Sequence, residues 1–141
     1  MTKSVLITSR SFGQVSDEPL NILQDYGCQV DFQNESFIEE KFLAAIGQYD
    51  ALIISNHEFS KKAMEKAVKL KIVCKHGAGV DNIDLEAAKR YNIRVTNVPA
   101  TNSNAVADLT FGLILDVARK ISYNAARVNN GLWERIIGTD V

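Results

Sequence analysis

The segment with the clearest capacity for chemistry is a short loop with two glycines one residue apart. Its sequence is HGAGVDN over residues 76–82, and an apolar run typical of a strand precedes it. Because glycine lacks a Cβ atom, Gly77 and Gly79 permit unusual backbone conformations and let a ligand approach the main chain closely. Successive N–H groups in such a turn can converge on an anion. We predict a small carboxylate as the guest of this loop.

Two other interpretations of the loop exist. GAGVDN is similar to the start of a dinucleotide fingerprint, but Asn82 stands where a third glycine is required. The helix predicted after it is also short, whereas a pyrophosphate needs a closely packed helix N-terminus. The remaining alternative is a tight structural turn that binds no ligand.

Polar residues also follow two other predicted strands. Ser55 and Asn56 could hydrogen-bond a ligand, although both residue types are common in turns and helix caps. Residues 97–104 carry more Asn, Ser and Thr than capping alone requires. His57 and His76 lie near the same predicted edge, but neither has an evident carboxylate to orient it, so we expect no catalytic role for them.

An alternation of short apolar runs and helical patterns must position these loops. The five runs typical of strands are residues 4–8, 28–32, 51–55, 70–75 and 93–96. Helical patterns lie between them at residues 19–27, 36–47, 61–68 and 85–90. With right-handed crossovers, this order predicts an α/β fold with a doubly wound, parallel, five-stranded sheet of order 2-1-3-4-5. Such sheets bind ligands at their carboxyl edge, where the three polar loops emerge.

Residue types at the helix ends support these boundaries. Gly27 and Asn92 suit the left-handed position that follows a helix. Ser36 followed by Glu39 is a capping-box pattern, and Asp84 is a suitable N-cap.

The last third of the chain predicts one long helix. It begins at Asn102 or Ser103 and runs to about Asn130, with Gly131 after its end. At 1.5 Å per residue it would be roughly 40 Å long, which exceeds the width of a small domain. We expect it to pack on a second domain or subunit; a long core helix is the alternative. Its apolar stripe contains Val106, Leu109, Leu113, Val117 and Ile121. The tail contains Trp133, Ile136 and Ile137, which suggests a cut inside a larger protein.

Composition excludes several classes of function. The 141 residues are 46% hydrophobic and 23% charged, with a formal net charge of −1, so nothing favours a nucleic-acid binder. The two cysteines have no metal-binding or disulfide spacing, which predicts no metal site and a reducing, cytoplasmic setting. The most apolar later stretch is interrupted by Asp108 and Asp116, so we expect no membrane span.

The run HGAGVDNIDLEAAKRYNIRVTNVPATNSNAVADLTFGLILDVAR, followed by GLW at residues 131–133, resembles the D-isomer-specific 2-hydroxyacid dehydrogenases, in particular the phosphoglycerate dehydrogenase branch. The resemblance implies an oxidoreductase that transfers a hydride between NAD and a small 2-hydroxy or 2-keto acid. It implies a flavodoxin-like substrate-binding domain at residues 1–99. Residues 100–141 would begin the NAD-binding domain, and the helix near 103–130 would form a homodimer.

The resemblance also implies roles for individual residues. Main-chain groups of Ala78, Gly79 and Val80 would hold the substrate carboxylate, and Ala78 would also lie beside the cofactor. Asn102 would line the active site, and Val106 would pack near the nicotinamide.

Two departures from the family pattern qualify the resemblance. Some phosphoglycerate enzymes have Arg-Ser where this chain has Ser55-Asn56, which weakens the case for phosphoglycerate. The family's catalytic Arg, Glu and His would lie beyond Val141, so we assign no catalytic residue here and expect the chain alone to be inactive.

A stand-alone carboxylate-binding module and a helix-mediated structural dimer are the alternatives to this enzyme function. A receiver-like domain is disfavoured, because Ser55 stands where a phosphoacceptor Asp is needed.

Overall fold

The chain divides into two compact units, residues 1–99 and 100–141. The computed structural model describes residues 2–33 and 37–141.

The first unit is built on five parallel strands. They are β1 (Ser4–Ile7), β2 (Gln29–Phe32), β3 (Ala51–Ile54), β4 (Ile72–Lys75) and β5 (Arg94–Thr96). The sheet order is β2-β1-β3-β4-β5 with every pair parallel, which confirms the predicted topology. The helices between the strands are α1 (Glu18–Asp25), α2 (Glu39–Ala45), α3 (Lys61–Lys66) and α4 (Leu85–Arg90), and a 3₁₀ turn (Ile46–Gln48) follows α2.

Both faces of the sheet are covered by apolar side chains. Because side chains alternate along a strand, Leu6 of β1 joins one buried cluster while its neighbours Val5 and Ile7 join the other. The larger cluster contains Phe42 of α2 and Met64 of α3, and it also includes residues of α4. The smaller cluster receives partly buried residues of α1. The central strands are therefore fixed from two sides, which holds their carboxyl ends and the loops that follow.

The helix ends agree in part with the predictions. Asp84 caps α4, since its carboxylate accepts a hydrogen bond from Ala87 N at 2.8 Å. Gly27 and Asn92 both have positive φ, as their capping role requires. The predicted capping box at Ser36 lies outside the described residues, and the N-cap of α2 is Ile38.

The second unit corrects the prediction of a single long helix. Two helices are present, α5 (Ser103–Arg119) and α6 (Ile121–Asn129), and Lys120 between them has a φ of 55°. The Asp116 carboxylate accepts hydrogen bonds from Ser122 N at 2.6 Å and Ser122 Oγ at 2.9 Å, so it caps α6. The 17 residues of α5 span about 26 Å, not the predicted 40 Å. Gly131 follows the end of α6 with a φ of 74°, as expected.

The apolar residues of α5 are exposed. None of its residues is buried, and Leu109 and Val117 are 65% and 78% accessible. Within the described residues no core surrounds α5, and its packing on a second domain or subunit stays a prediction. No helix in the described ranges is long and apolar enough to cross a membrane.

Candidate functional site

The loop after β4, residues 76–82, lies at the carboxyl edge of the sheet, and its two glycines have different roles. Gly77 has a φ of 151°, which side chains disfavour, and its N–H donates to Lys75 O at 3.0 Å. Gly79 has no unusual φ. A Cβ atom there would lie 3.1 Å from Asp81 Oδ2, and both residues line the cavity over the loop. Gly77 therefore shapes the turn, whereas Gly79 leaves it open.

Hydrogen bonds anchor the carbonyl groups of this loop and leave three amides available. Gly77 O accepts from Val98 N at 3.0 Å, and Ala78 O accepts from Asn97 Nδ2 at 2.6 Å. Val80 O accepts from Ile83 N at 2.9 Å. Within residues 2–33 and 37–141, no protein group accepts a hydrogen bond from the N–H of Ala78, Gly79 or Val80. These three donors are thus available to a ligand.

A buried lysine lies directly behind the loop. Lys75 is only 8% accessible, and its ammonium group donates to Ser55 O and to Asn82 Oδ1, the latter at 3.0 Å. Among the side chains that the structure describes, no carboxylate forms an ion pair with it. A buried charge without a counter-charge is costly, so this position favours an anionic guest.

Asn82 joins the β3 and β4 loops. Its Nδ2 donates to Ser55 O at 2.9 Å and to His57 O at 2.6 Å. The Ser55 hydroxyl in turn donates to Asn56 Oδ1 at 3.3 Å. The β3 and β4 loops, both predicted at the carboxyl edge of the sheet, are therefore in contact.

A cavity of 370 Å³ lies over the glycine loop. One of its walls is the carboxylate of Asp81, which is exposed, so water screens its repulsion of an anion. The lining residues are Asn56, Lys75, His76, Gly77, Ala78, Gly79, Asp81 and Asn82. Its volume lies at the lower end of the range for small-molecule sites, which suits a small acid.

His57 forms an uncharged wall near this edge. Its ring stacks on Phe37 with centroids 4.0 Å apart and meets Phe42 edge-on at 5.2 Å. Burial, with a smaller contribution from the Lys75 charge, lowers the pKa of His57 to about 4, so the ring is neutral at pH 7.

Neither histidine is oriented by a carboxylate in the described part of the chain. His57 Nε2 lies 3.5 Å from Thr8 Oγ1, and His76 Nδ1 lies 2.7 Å from the hydroxyl of buried Ser9. Both contacts are those of packed residues that join neighbouring loops. We assign neither histidine a proton-transfer role.

The predicted site residues fall into two groups. Ser55, Asn56 and the loop residues 78–80 lie together at the carboxyl edge of the first unit. Asn102 and Val106 belong to the second unit. There Asn102 is the N-cap of α5 without a side-chain capping bond, and Val106 is exposed on that helix.

Sequence analysis missed the residues that brace the site. In the sequence, Lys75 is only the last residue of a predicted strand, Asn82 is a departure from a fingerprint, and Asn97 is part of a polar cluster. All three hydrogen-bond main-chain carbonyls of distant segments, which no local pattern records. The excess of Asn over capping needs in the 97–104 loop was the available signal.

No metal centre is apparent in the part of the chain that the structure describes. Residues 2–33 and 37–141 contain no group of three or more His, Cys, Asp or Glu side chains that could hold an ion.

Comparison with known families identifies the domain. The family model described as "D-isomer specific 2-hydroxyacid dehydrogenase, catalytic domain" matches residues 5–133, which include the whole sheet and the glycine loop. The chain belongs to this family.

Relatives of this 2-hydroxyacid dehydrogenase domain include proteins named D-3-phosphoglycerate dehydrogenase. D-3-phosphoglycerate dehydrogenase of Sus scrofa is 40% identical over 123 residues, which are 85% of this chain and 23% of that protein. The chain thus spans about a quarter of the length of such relatives.

Solved structures of other proteins share the fold. The TT0316 protein from Thermus thermophilus has a TM-score of 0.82 and 31% identity, covering 97% of this chain and 45% of that one. The NAD⁺-bound 3-phosphoglycerate dehydrogenase of Entamoeba histolytica has a TM-score of 0.77 and 27% identity, covering 85% of this chain and 40% of that one.

Proposed function

We propose that the glycine loop binds the carboxylate of a small 2-hydroxy or 2-keto acid. We further propose that the full-length protein transfers a hydride between NAD and that acid. The observation that carries this proposal is the set of three available amides, Ala78, Gly79 and Val80, above the buried ammonium of Lys75. Amide donors and a buried cation together favour a carboxylate more strongly than either alone.

The roles of the site residues follow from this arrangement. Main-chain N–H groups of residues 78–80 would bind the carboxylate, and Lys75 would neutralise it from behind. Ser55 and Asn56 would border the acid from the β3 loop, and the resemblance to the family also assigns an active-site role to Asn102, in the second unit. Holding the carboxylate fixes the carbon that exchanges hydride, which is how positioning lowers the barrier.

The residues of this chain do not fit the pyrophosphate of a dinucleotide. Asn82 is directed into the protein by two hydrogen bonds from its amide group, and α4 is only six residues long. The first turn of α4 is already capped by Asp84. When bound, NAD would supply the hydride acceptor or donor. We therefore propose that the dinucleotide is held outside this chain and that only Ala78 and Val106 contribute to its surroundings.

The identity of the acid is a finer proposal. The Sus scrofa relative is named for 3-phosphoglycerate, and we include that acid among the candidate substrates. Because catalytic Arg, Glu and His residues are proposed to lie outside this chain, we expect the chain alone to be inactive.

The free cysteines, Cys28 and Cys74, support a cytoplasmic setting.

A homodimer through the helical region 103–130 is a second proposal. It is supported by the exposed apolar residues of α5, because an uncovered stripe of that kind marks an interaction surface. We propose that this dimer is formed by the enzyme itself, so that one protein both binds the acid and dimerises. The alternative is a structural dimer without catalysis.

Replacement of Gly79 by valine in the full-length protein tests the binding role. A valine side chain at this position would add bulk to the lining of the cavity over the loop, so we expect the KM for the acid to rise at least about tenfold. Ala44→Val is the control, because it enlarges an exposed side chain of α2 that does not line the cavity. Unchanged KM and kcat in the folded Gly79→Val variant would reduce the loop to a structural turn and favour the alternatives.

A further inference from the structure

A second cavity at the same edge of the sheet has the chemistry of an anion site. It has a volume of 370 Å³ and lies between the loops that follow β1 and β3. These strands are neighbours, yet the chain leaves β1 towards β2 on the other side. The cavity therefore lies at the topological switch point, where doubly wound sheets bind ligands. It is lined by Thr8, Arg10, Ser11, Gln14, Phe37, Ser55, Asn56 and His57.

Arg10 gives this cavity a positive charge. Among the described residues that line the cavity, it is the one whose side chain carries a formal charge at pH 7, and none of them is Asp or Glu. In the described ranges the exposed guanidinium of Arg10 forms no ion pair or hydrogen bond. A planar guanidinium matches the paired oxygens of a carboxylate or phosphate, and the hydroxyl of Ser11 and the amide of Asn56 add neutral donors.

The wall formed by His57 and Phe37 strengthens the attraction between Arg10 and an anion. His57 is held neutral and stacks on Phe37, so that wall is apolar and displaces water. Charges are screened less where water is excluded. An anion there therefore interacts more strongly with Arg10 than it would on an open surface.

The two cavities adjoin. Asn56 lines both, so a ligand in the glycine loop has the switch-point cavity beside it. We propose that Arg10 and Ser11 form a subsite for a second anionic group, carboxylate or phosphate, on the acid whose first carboxylate is held by the glycine loop. This inference rests on the proposed function of that loop, and it narrows the substrate class to 2-hydroxy acids with an anionic tail.

Inorganic phosphate tests the subsite by itself. In ¹⁵N-labelled chain we expect saturable shifts of the Arg10 Nε–H signal and of the Ser11 and Asn56 amides. Arg10→Ala should abolish the shifts, whereas Arg90→Ala, which removes another exposed arginine, should leave them unchanged. Absence of these shifts in the folded wild-type chain overturns the subsite.

Matched acids test the link to the glycine loop. Calorimetry should show D-3-phosphoglycerate, D-malate or both binding about tenfold more tightly than D-glycerate, and Arg10→Ala should remove the advantage. The malate and phosphoglycerate arms distinguish a carboxylate from a phosphate tail. An advantage that persists in Arg10→Ala overturns the proposal and leaves the glycine-loop function standing. If D-glycerate does not bind while phosphate still shifts Arg10, the glycine-loop function fails and Arg10 remains only an anion site.

Discussion

At the scale of single residues, the main-chain carbonyls of the site hold the loop in place, while its main-chain amides are available to bind a ligand. Three carbonyls of the glycine loop accept hydrogen bonds from the protein, whereas the amides of Ala78, Gly79 and Val80 have no acceptor among the described residues. The side chain of Asn97 donates to Ala78 O, and Asn82, within the loop, ties it to the β3 loop through Ser55 O and His57 O. Polar side chains thus act on the ligand mainly by fixing the main chain.

Lys75 should matter more for binding than for stability. In Lys75→Met, two hydrogen bonds are lost but a buried charge is also removed, so the free energy of unfolding should change by no more than about 2 kcal/mol. Affinity for pyruvate should fall at least about tenfold, because the cation behind the loop is gone. Calorimetry and urea denaturation measure the two effects. Lys71→Met, at an exposed position before β4, should change neither. Wild-type affinity in Lys75→Met would contradict this role.

His57 should make stability depend on pH between 6.5 and 4. Its pKa falls from 6.5 to about 4 on folding, mainly through burial. As the pH falls below 6.5 the unfolded chain takes up a proton that the folded chain does not, so stability is lost until the pH reaches about 4. Partial solvent contact limits the loss to roughly 1–2 kcal/mol.

The variant His57→Phe isolates this effect, because a phenyl ring can keep the stack on Phe37 without titrating. Urea denaturation at pH 7 and pH 4.5 should give a smaller drop in stability for the variant than for the wild type. Equal drops in the two proteins would show that His57 is not responsible.

At the scale of elements, the strands and their order were predictable and the helix break was not. Each strand is a short apolar run with a turn at its end, and parallel topology leaves few ways to arrange five of them. Boundaries shifted by one or two residues because strand ends depend on hydrogen bonds to neighbours. The break at Lys120 was missed because lysine rarely adopts positive φ. The side-chain cap from Asp116 that accompanies it lies six residues away from its partner.

The position of the loops could be predicted from the sheet topology, but the hydrogen bonds that hold them could not. The three loops were found because parallel topology sends the chain to one edge after every strand. Their bracing was not found, because Lys75, Asn82 and Asn97 bond to carbonyls that are 19 to 27 residues away.

Removal of the Asp116 cap should loosen the start of α6. In Asp116→Ala the Ser122 amide loses its acceptor, so it should exchange with deuterium several-fold faster, in line with about 1 kcal/mol for a lost cap. Asp108→Ala changes another acid of α5 and should leave exchange at Ser122 unchanged. Unaltered exchange in Asp116→Ala would show that the backbone alone sets the junction.

At the scale of the whole molecule, the dimer proposal follows from apolar surface that the chain itself does not cover. Val117→Asp should weaken dimerisation at least about tenfold, because an unpaired carboxylate would be buried in the interface. Ala105→Asp lies on α5 outside the apolar stripe and should have little effect. Equilibrium sedimentation measures both, and a wild-type chain that stays monomeric at high micromolar concentration would contradict the dimer.

The most direct test of the account is a titration of the ¹⁵N-labelled chain with pyruvate, observed at the amide signals of Ala78, Gly79 and Val80. We expect these three signals to shift together and saturably, while the amides of Gly27 and Gly131, at helix ends far along the chain, stay unchanged. Lys75→Met should shift the titration to higher pyruvate concentrations. A folded chain whose three loop amides do not respond to pyruvate would contradict the central claim that this main-chain segment binds the carboxylate.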